Sequence, residues 1–90
     1  MDKLSTPIWV CVINNDPELF NTKNKALRLA YAEIDDVVEE NCGNDDLPRP
    51  LNALALRVRL LQHGAVTIDI GKDDFGDPIL WEITVTQCFI

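Results

Sequence analysis

The sequence predicts a small two-layer α+β fold: a three-stranded antiparallel sheet, in chain order β-α-α-β-β, with both helices on one face. Three observations carry that expectation. An apolar run, Ile8-Trp9-Val10-Cys11-Val12-Ile13, stands near the start. The stretch from Pro17 to Asn41 repeats apolar residues at helical steps. The last third alternates apolar and polar residues on both sides of a turn-rich linker. Ninety residues suit one domain with a modest core, and a hydrophobic fraction of 47% separates the chain from disordered compositions.

The run from Ile8 to Ile13 is rich in β-branched residues and bounded by Pro7 and Asn14-Asn15, which reads as a central strand covered on at least one face. Asp16-Pro17-Glu18 then reads as a helix start, with Asp16 as cap, Pro17 at the first helical position and Glu18 complementing the dipole. Phe20, Leu27, Ala30, Tyr31, Ile34, Val37 and Val38 form the stripe of that helix, and Gly43 suits a left-handed stop. Leu27, Tyr31, Ile34 and Val38 are expected to face the same core as Trp9 or Cys11 and Trp81 or Ile83. Gly43 to Pro50 is a loop.

Residues 51–63 carry two patterns. Leu54, Leu56, Val58 and Leu60 alternate as in a strand, whereas Leu51, Leu54, Val58 and Leu61 fit a helical stripe. Helix formers throughout, Asn52 as a cap and Gly64 as a stop favour the helix. Val66, Ile68 and Ile70, and then Ile79, Trp81, Ile83 and Val85, alternate with polar positions around Gly71–Pro78. They read as two strands joined by a hairpin.

The formal net charge is −7, and all of it sits between Glu33 and Asp46. This segment holds Glu33, Asp35, Asp36, Glu39, Glu40, Asp45 and Asp46 and no Lys, Arg or His. On a helical wheel the five helical acids fall away from the apolar stripe. Asp35 and Glu39 are like charges four apart, as are Asp36 and Glu40, each pair costing roughly 0.2–0.5 kcal/mol. They also face the negative end of the dipole, at about 0.3–1 kcal/mol per charge, while Lys23, Lys25 and Arg28 occupy the first half. A helix selected for stability alone would reverse that layout. Side chains one turn apart stand about 5–6 Å from each other, comparable with phosphates along a nucleic-acid strand.

A pI near 4.4 disfavours direct binding to nucleic acid or an anionic membrane. No apolar run approaches the roughly 18 residues of a membrane span, and the stretch Met1–Pro7 lacks the layout of a secretory signal, so a cytoplasmic protein is expected. Cys11, Cys42 and Cys88 are odd in number and lack C-x-x-C spacing, which argues against a disulfide framework or zinc site and for buried thiols.

Enzyme chemistry finds little footing. Ser5 is the sole serine and His63 the sole histidine, so a Ser–His–acid set is implausible. Apolar flanks would raise the thiol pKa of Cys11 or Cys88, and His63 beside Gly64 reads as a helix-end residue. Asp69, Asp73, Asp74 and Asp77 miss the EF-hand spacing, because Gly71 holds the third ligand position; turn chemistry explains them better. No metal or cofactor is expected. Trp9 and Trp81 read as core, whereas Phe75, between Asp74 and Gly76, is a candidate anchor for a partner.

The resulting expectation is a non-enzymatic interaction protein. It would block a basic, nucleic-acid-binding protein through Glu33, Asp35, Asp36, Glu39, Glu40, Asp45 and Asp46, with Phe75 as an added anchor. The nearest analogy, one of charge and size with no shared motif, is with small bacteriophage proteins that block host defence, anti-CRISPR-type DNA mimics among them. The alternative is an assembly module that forms a homodimer through a sheet edge and the apolar ending Gln87-Cys88-Phe89-Ile90.

Overall fold

The computed structural model describes residues 6–89, so Ser5 and Ile90 lie outside the described residues. The elements are β1 (Pro7–Ile13), β2 (Asp16–Phe20), α1 (Lys23–Glu40), α2 (Ala53–His63), β3 (Ala65–Lys72) and β4 (Pro78–Phe89). The α+β class and the antiparallel sheet are as expected, but the sheet has four strands, in the order β2-β1-β4-β3.

The additional strand corrects the reading of Asp16-Pro17-Glu18 as a helix start. Asn14 and Asn15 both adopt left-handed backbone, with φ of 50° and 71°, and Ile13 pairs directly with Asp16. Two successive left-handed residues make the tight turn whose twist matches a hairpin, and Asn tolerates that region better than most residues. Asn14 fastens the turn to β4. Its side-chain oxygen accepts from the Glu82 N–H at 2.9 Å, and its own N–H donates to the Glu82 carbonyl at 2.9 Å. Pro17 is tolerated because β2 is an edge strand. The helix begins only at Lys23, capped by Thr22, whose hydroxyl accepts from the Lys25 N–H at 3.3 Å.

Strand alternation sorts the sheet into two faces. Trp9, Cys11 and Ile13 of β1, Val66, Ile68 and Ile70 of β3, and Trp81, Ile83 and Val85 of β4 pack on the helix side. Leu27, Tyr31, Ile34 and Val38 join this core, as expected. The fully buried row of α1 nevertheless runs through Ala26, Ala30, Ile34 and Val37. Two alanines in that row leave room for the helix backbone to approach the sheet closely. Trp9 and Trp81 are half-buried, not enclosed.

Residues 53–63 are helical, with Asn52 as cap and Gly64 as a left-handed stop at φ 72°. The buried face differs from the expected one. Leu56 and Leu60 enter the core, while Leu54, Val58 and Leu61 are exposed. The segment has two apolar rows, and the alternating leucines that resembled a strand supply the buried one.

The loop between the helices is pinned to β3. The Asn44 amide donates to the Ile70 carbonyl at 3.3 Å and to Asn41 Oδ1 at 2.9 Å. Gly71, at φ 120°, sits against Asp46 so closely that a Cβ there would lie 3.3 Å from the Asp46 carbonyl oxygen. Among the described residues, no helix is long and apolar enough to cross a membrane.

Candidate partner-binding surface

The end of α1 carries the electrostatic cost read from the sequence: its first turn has no acid and its last turn no base. The acids nevertheless divide into two groups, and this corrects the idea that all five helical acids lie clear of the packed side.

Glu33 and Asp35 border the core. Glu33 is half-buried, and its Oε2 accepts from the Trp81 indole N–H at 2.7 Å. Asp35 pairs with the Arg57 guanidinium of α2, which lies over the Tyr31 ring at 5.0 Å from its centroid. One acid ties α1 to β4 and the other ties it to α2. Their charges are partly used within the fold.

Asp36, Glu39, Glu40, Asp45 and Asp46 are exposed, and none has an ion pair among the described residues. The helix closes behind them through Asn41, whose backbone and side-chain N–H groups both donate to the Val37 carbonyl, at 3.1 and 2.8 Å. Asp46 is held by its backbone: its N–H donates to Asn44 Oδ1 at 2.9 Å, leaving the carboxylate in solvent.

Further acids share clefts with the two ends of the Glu33–Asp46 segment, and the linear sequence did not reveal them. Asp46 and Asp69 line one cleft of about 370 Å³ with Pro48, Gly71 and Lys72, so Asp69 of β3 joins the loop acids there. On the other side of α1, Asp16 and Glu18 share a cleft of about 480 Å³ with Glu33. The Asn14-Asn15 turn brings them there by directing β2 back along β1. Recognising that dipeptide as a hairpin turn was the available signal.

Phe75 is 90% exposed at the hairpin tip. The turn beneath it is tied at several points. Asp73 Oδ1 accepts from the N–H groups of Phe75 and Asp77 at 2.9 and 3.0 Å, and the Asp73 carbonyl accepts from Gly76 at 3.0 Å. The ring is thus presented on a braced loop beside Asp73 and Asp74.

The thiols divide by burial. Cys11 is wholly enclosed; burial, then the nearby charges of Glu18 and Glu33, push its thiol up to about 11. Cys42 and Cys88 are exposed, contrary to the expectation of buried thiols, because Cys42 follows the helix cap and Cys88 points to the helix-free face of the sheet. No group of three His, Cys, Asp or Glu side chains among the described residues is placed to hold a metal ion. Comparison with known protein families, with curated proteins and with solved structures finds no match to this chain.

Proposed function

We propose that this chain is a non-enzymatic interaction protein that binds a basic protein through the ridge formed by Asp36, Glu39, Glu40, Asp45 and Asp46. One observation carries the reading: these five carboxylates are exposed and form no ion pair among the described residues, and the three on α1 stand towards the helix end where the dipole disfavours them. An arrangement that costs stability is understandable where a surface must present negative charge. Asp69 of β3 adjoins the same surface beside Asp46, and a target whose groove normally holds nucleic acid suits its charge. Glu33 and Asp35 serve the fold first and the field second.

Pull-down from the source cell at low and high salt tests this. A basic protein retained at low salt and released at high salt supports the reading; retention that ignores salt contradicts it.

The alternative of self-association needs a different surface from the one first considered. β4 lies between β1 and β3, so the C-terminal strand is internal to the sheet. Of the two edge strands, β2 is short and carries Asp16, Pro17 and Glu18, and β3 breaks register between Asp69 and Lys72, features that discourage edge pairing. What favours an assembly role is the sheet face without helices, where Ile8, Val10 and Val12 are only half-buried and Leu19 is exposed. Sedimentation across a concentration range distinguishes this reading, since it requires an oligomer indifferent to neutralisation of the ridge.

A further inference from the structure

The outward side of α1 carries charges that its own helix leaves unanswered. Lys25, Arg28, Ala32, Asp36 and Glu39 fall within about 80° of arc at 100° per residue, opposite the buried row of Ala26, Ala30, Ile34 and Val37. All five are exposed. No acid lies within one helical turn of Lys25 or Arg28, and no base within one turn of Asp36 or Glu39. None of the four forms an ion pair among the described residues; Arg49 borders a cleft with Glu39 without pairing to it.

The spacing is symmetric. Arg28 and Asp36 stand four residues either side of Ala32, and Lys25 and Glu39 stand seven. Reversed, such a stripe is its own complement. A second α1, antiparallel and related by a two-fold axis at Ala32, sets Arg28 against the copy's Asp36 and Lys25 against the copy's Glu39, and each contact occurs twice. A parallel copy would face base with base and acid with acid. Alanine on the axis lets the two helices approach towards the near end of the usual range of about 8–10 Å. The stripe's four charges cancel, so it adds nothing to the net −7. Of the flanking acids, Glu33 is held by Trp81 and Asp35 by Arg57, and Glu40 follows the stripe at the helix end.

We propose that two copies of the chain pair through this face, α1 antiparallel to α1 about Ala32. The inference rests on the reading that the acidic end of α1 binds protein. It names the occupant of that surface when no other basic protein is present: the basic start of the same helix in a second copy. Exposed ion pairs contribute little singly, so the dimer is weak, concentration-dependent and lost to salt. A more basic partner displaces it.

Sedimentation of the full chain from about 20 to 500 µM, in about 0.1 and 1 M salt, tests it. Dimer is expected at high concentration in low salt, and monomer in high salt. Lys25→Glu with Arg28→Glu, and separately Asp36→Lys with Glu39→Lys, should each weaken association at least about tenfold. Mixed in equal amounts, the two variants should form a heterodimer, because their stripes are again complementary. The register is read with Ala32→Cys in a Cys42→Ser, Cys88→Ser background, which should cross-link under a mild oxidant in low salt. Lys25→Cys in that background should not, since positions seven residues from the axis lie about 21 Å from their equivalents. Cross-linking of Lys25→Cys to the same extent overturns the register. A monomer at every concentration overturns the proposal and leaves the basic-partner reading to its pull-down. A dimer that both charge variants retain lies on another face and overturns it too. A dimer that behaves as expected, with no basic protein retained in the pull-down, removes the basic-partner reading alone.

Discussion

Trp81 donates its indole N–H to Glu33 Oε2 at 2.7 Å, joining the first third of β4 to α1 across 48 residues of sequence. A half-buried tryptophan gains from such a partner because its ring is apolar and its N–H is not. Glu33→Ala should cost about 1 kcal/mol, whereas Glu33→Gln keeps an acceptor and should cost less. Thermal denaturation checks the order, and the Trp81 indole proton resonance should shift in the alanine variant. Equal stability of the two variants would remove this bond from the forces holding α1.

The remaining acids should behave in opposite ways. Asp36→Asn, Glu39→Gln and Glu40→Gln together should leave the stability unchanged or raise it by up to about 1 kcal/mol at low salt, because like-charge and dipole penalties are removed. Asp35→Asn should instead cost roughly 0.2–1 kcal/mol, the range of a surface ion pair, and less as salt rises. Denaturation at two salt concentrations separates the two results. A destabilised triple variant would mean that those carboxylates make contacts within the fold.

The Asn14-Asn15 turn allows a test of the hairpin absent from the sequence reading. Asn15→Gly should stabilise by roughly 0.5 kcal/mol, since Asn-Gly is the preferred pair for two left-handed positions. Asn14→Gly should destabilise by about 1 kcal/mol, because it removes the acceptor of the Glu82 N–H. Chemical denaturation of both variants checks the asymmetry.

Cys11 gives a pH dependence with a defined sign. Its thiol is raised from 9.0 to about 11, so the native state holds its proton after the unfolded chain has lost it. Stability from this group is complete below about pH 9 and falls as pH rises towards 11, by about 2–3 kcal/mol at most. Cys11→Val, close in volume, should lack that part of the alkaline slope. Identical slopes in the two proteins would contradict the burial argument.

The apolar strands and the C-terminal hairpin are legible in the sequence, because in each the periodicity and the turn residues agree; residues 51–63 carry both a strand and a helix pattern, and only the Asn52 cap and the Gly64 stop favour the helix that forms. The sequence reading missed the strand at residues 16–20, where Asp, Pro and Glu satisfy helix-start chemistry and edge-strand chemistry equally well; the preceding Asn-Asn turn decided between them. It also assigned the wrong face of α2, since a helix with two apolar rows does not reveal which one meets the sheet. The acidic ridge was visible as composition. That Glu33 and Asp35 are tied to Trp81 and Arg57 was not, because both partners lie far away in sequence.

Binding of the basic protein recovered by salt-sensitive pull-down, measured by calorimetry against the full chain, bears most directly on the acidic ridge. The comparison is between the wild type and the Asp36→Asn, Glu39→Gln, Glu40→Gln variant at about 50 and 500 mM salt. Affinity should fall at least about tenfold between the two salts for the wild type, and about tenfold at low salt on neutralising the three acids. The variant's own salt dependence should be shallower. Equal affinity of wild type and variant at both salts would contradict an electrostatic role for the ridge.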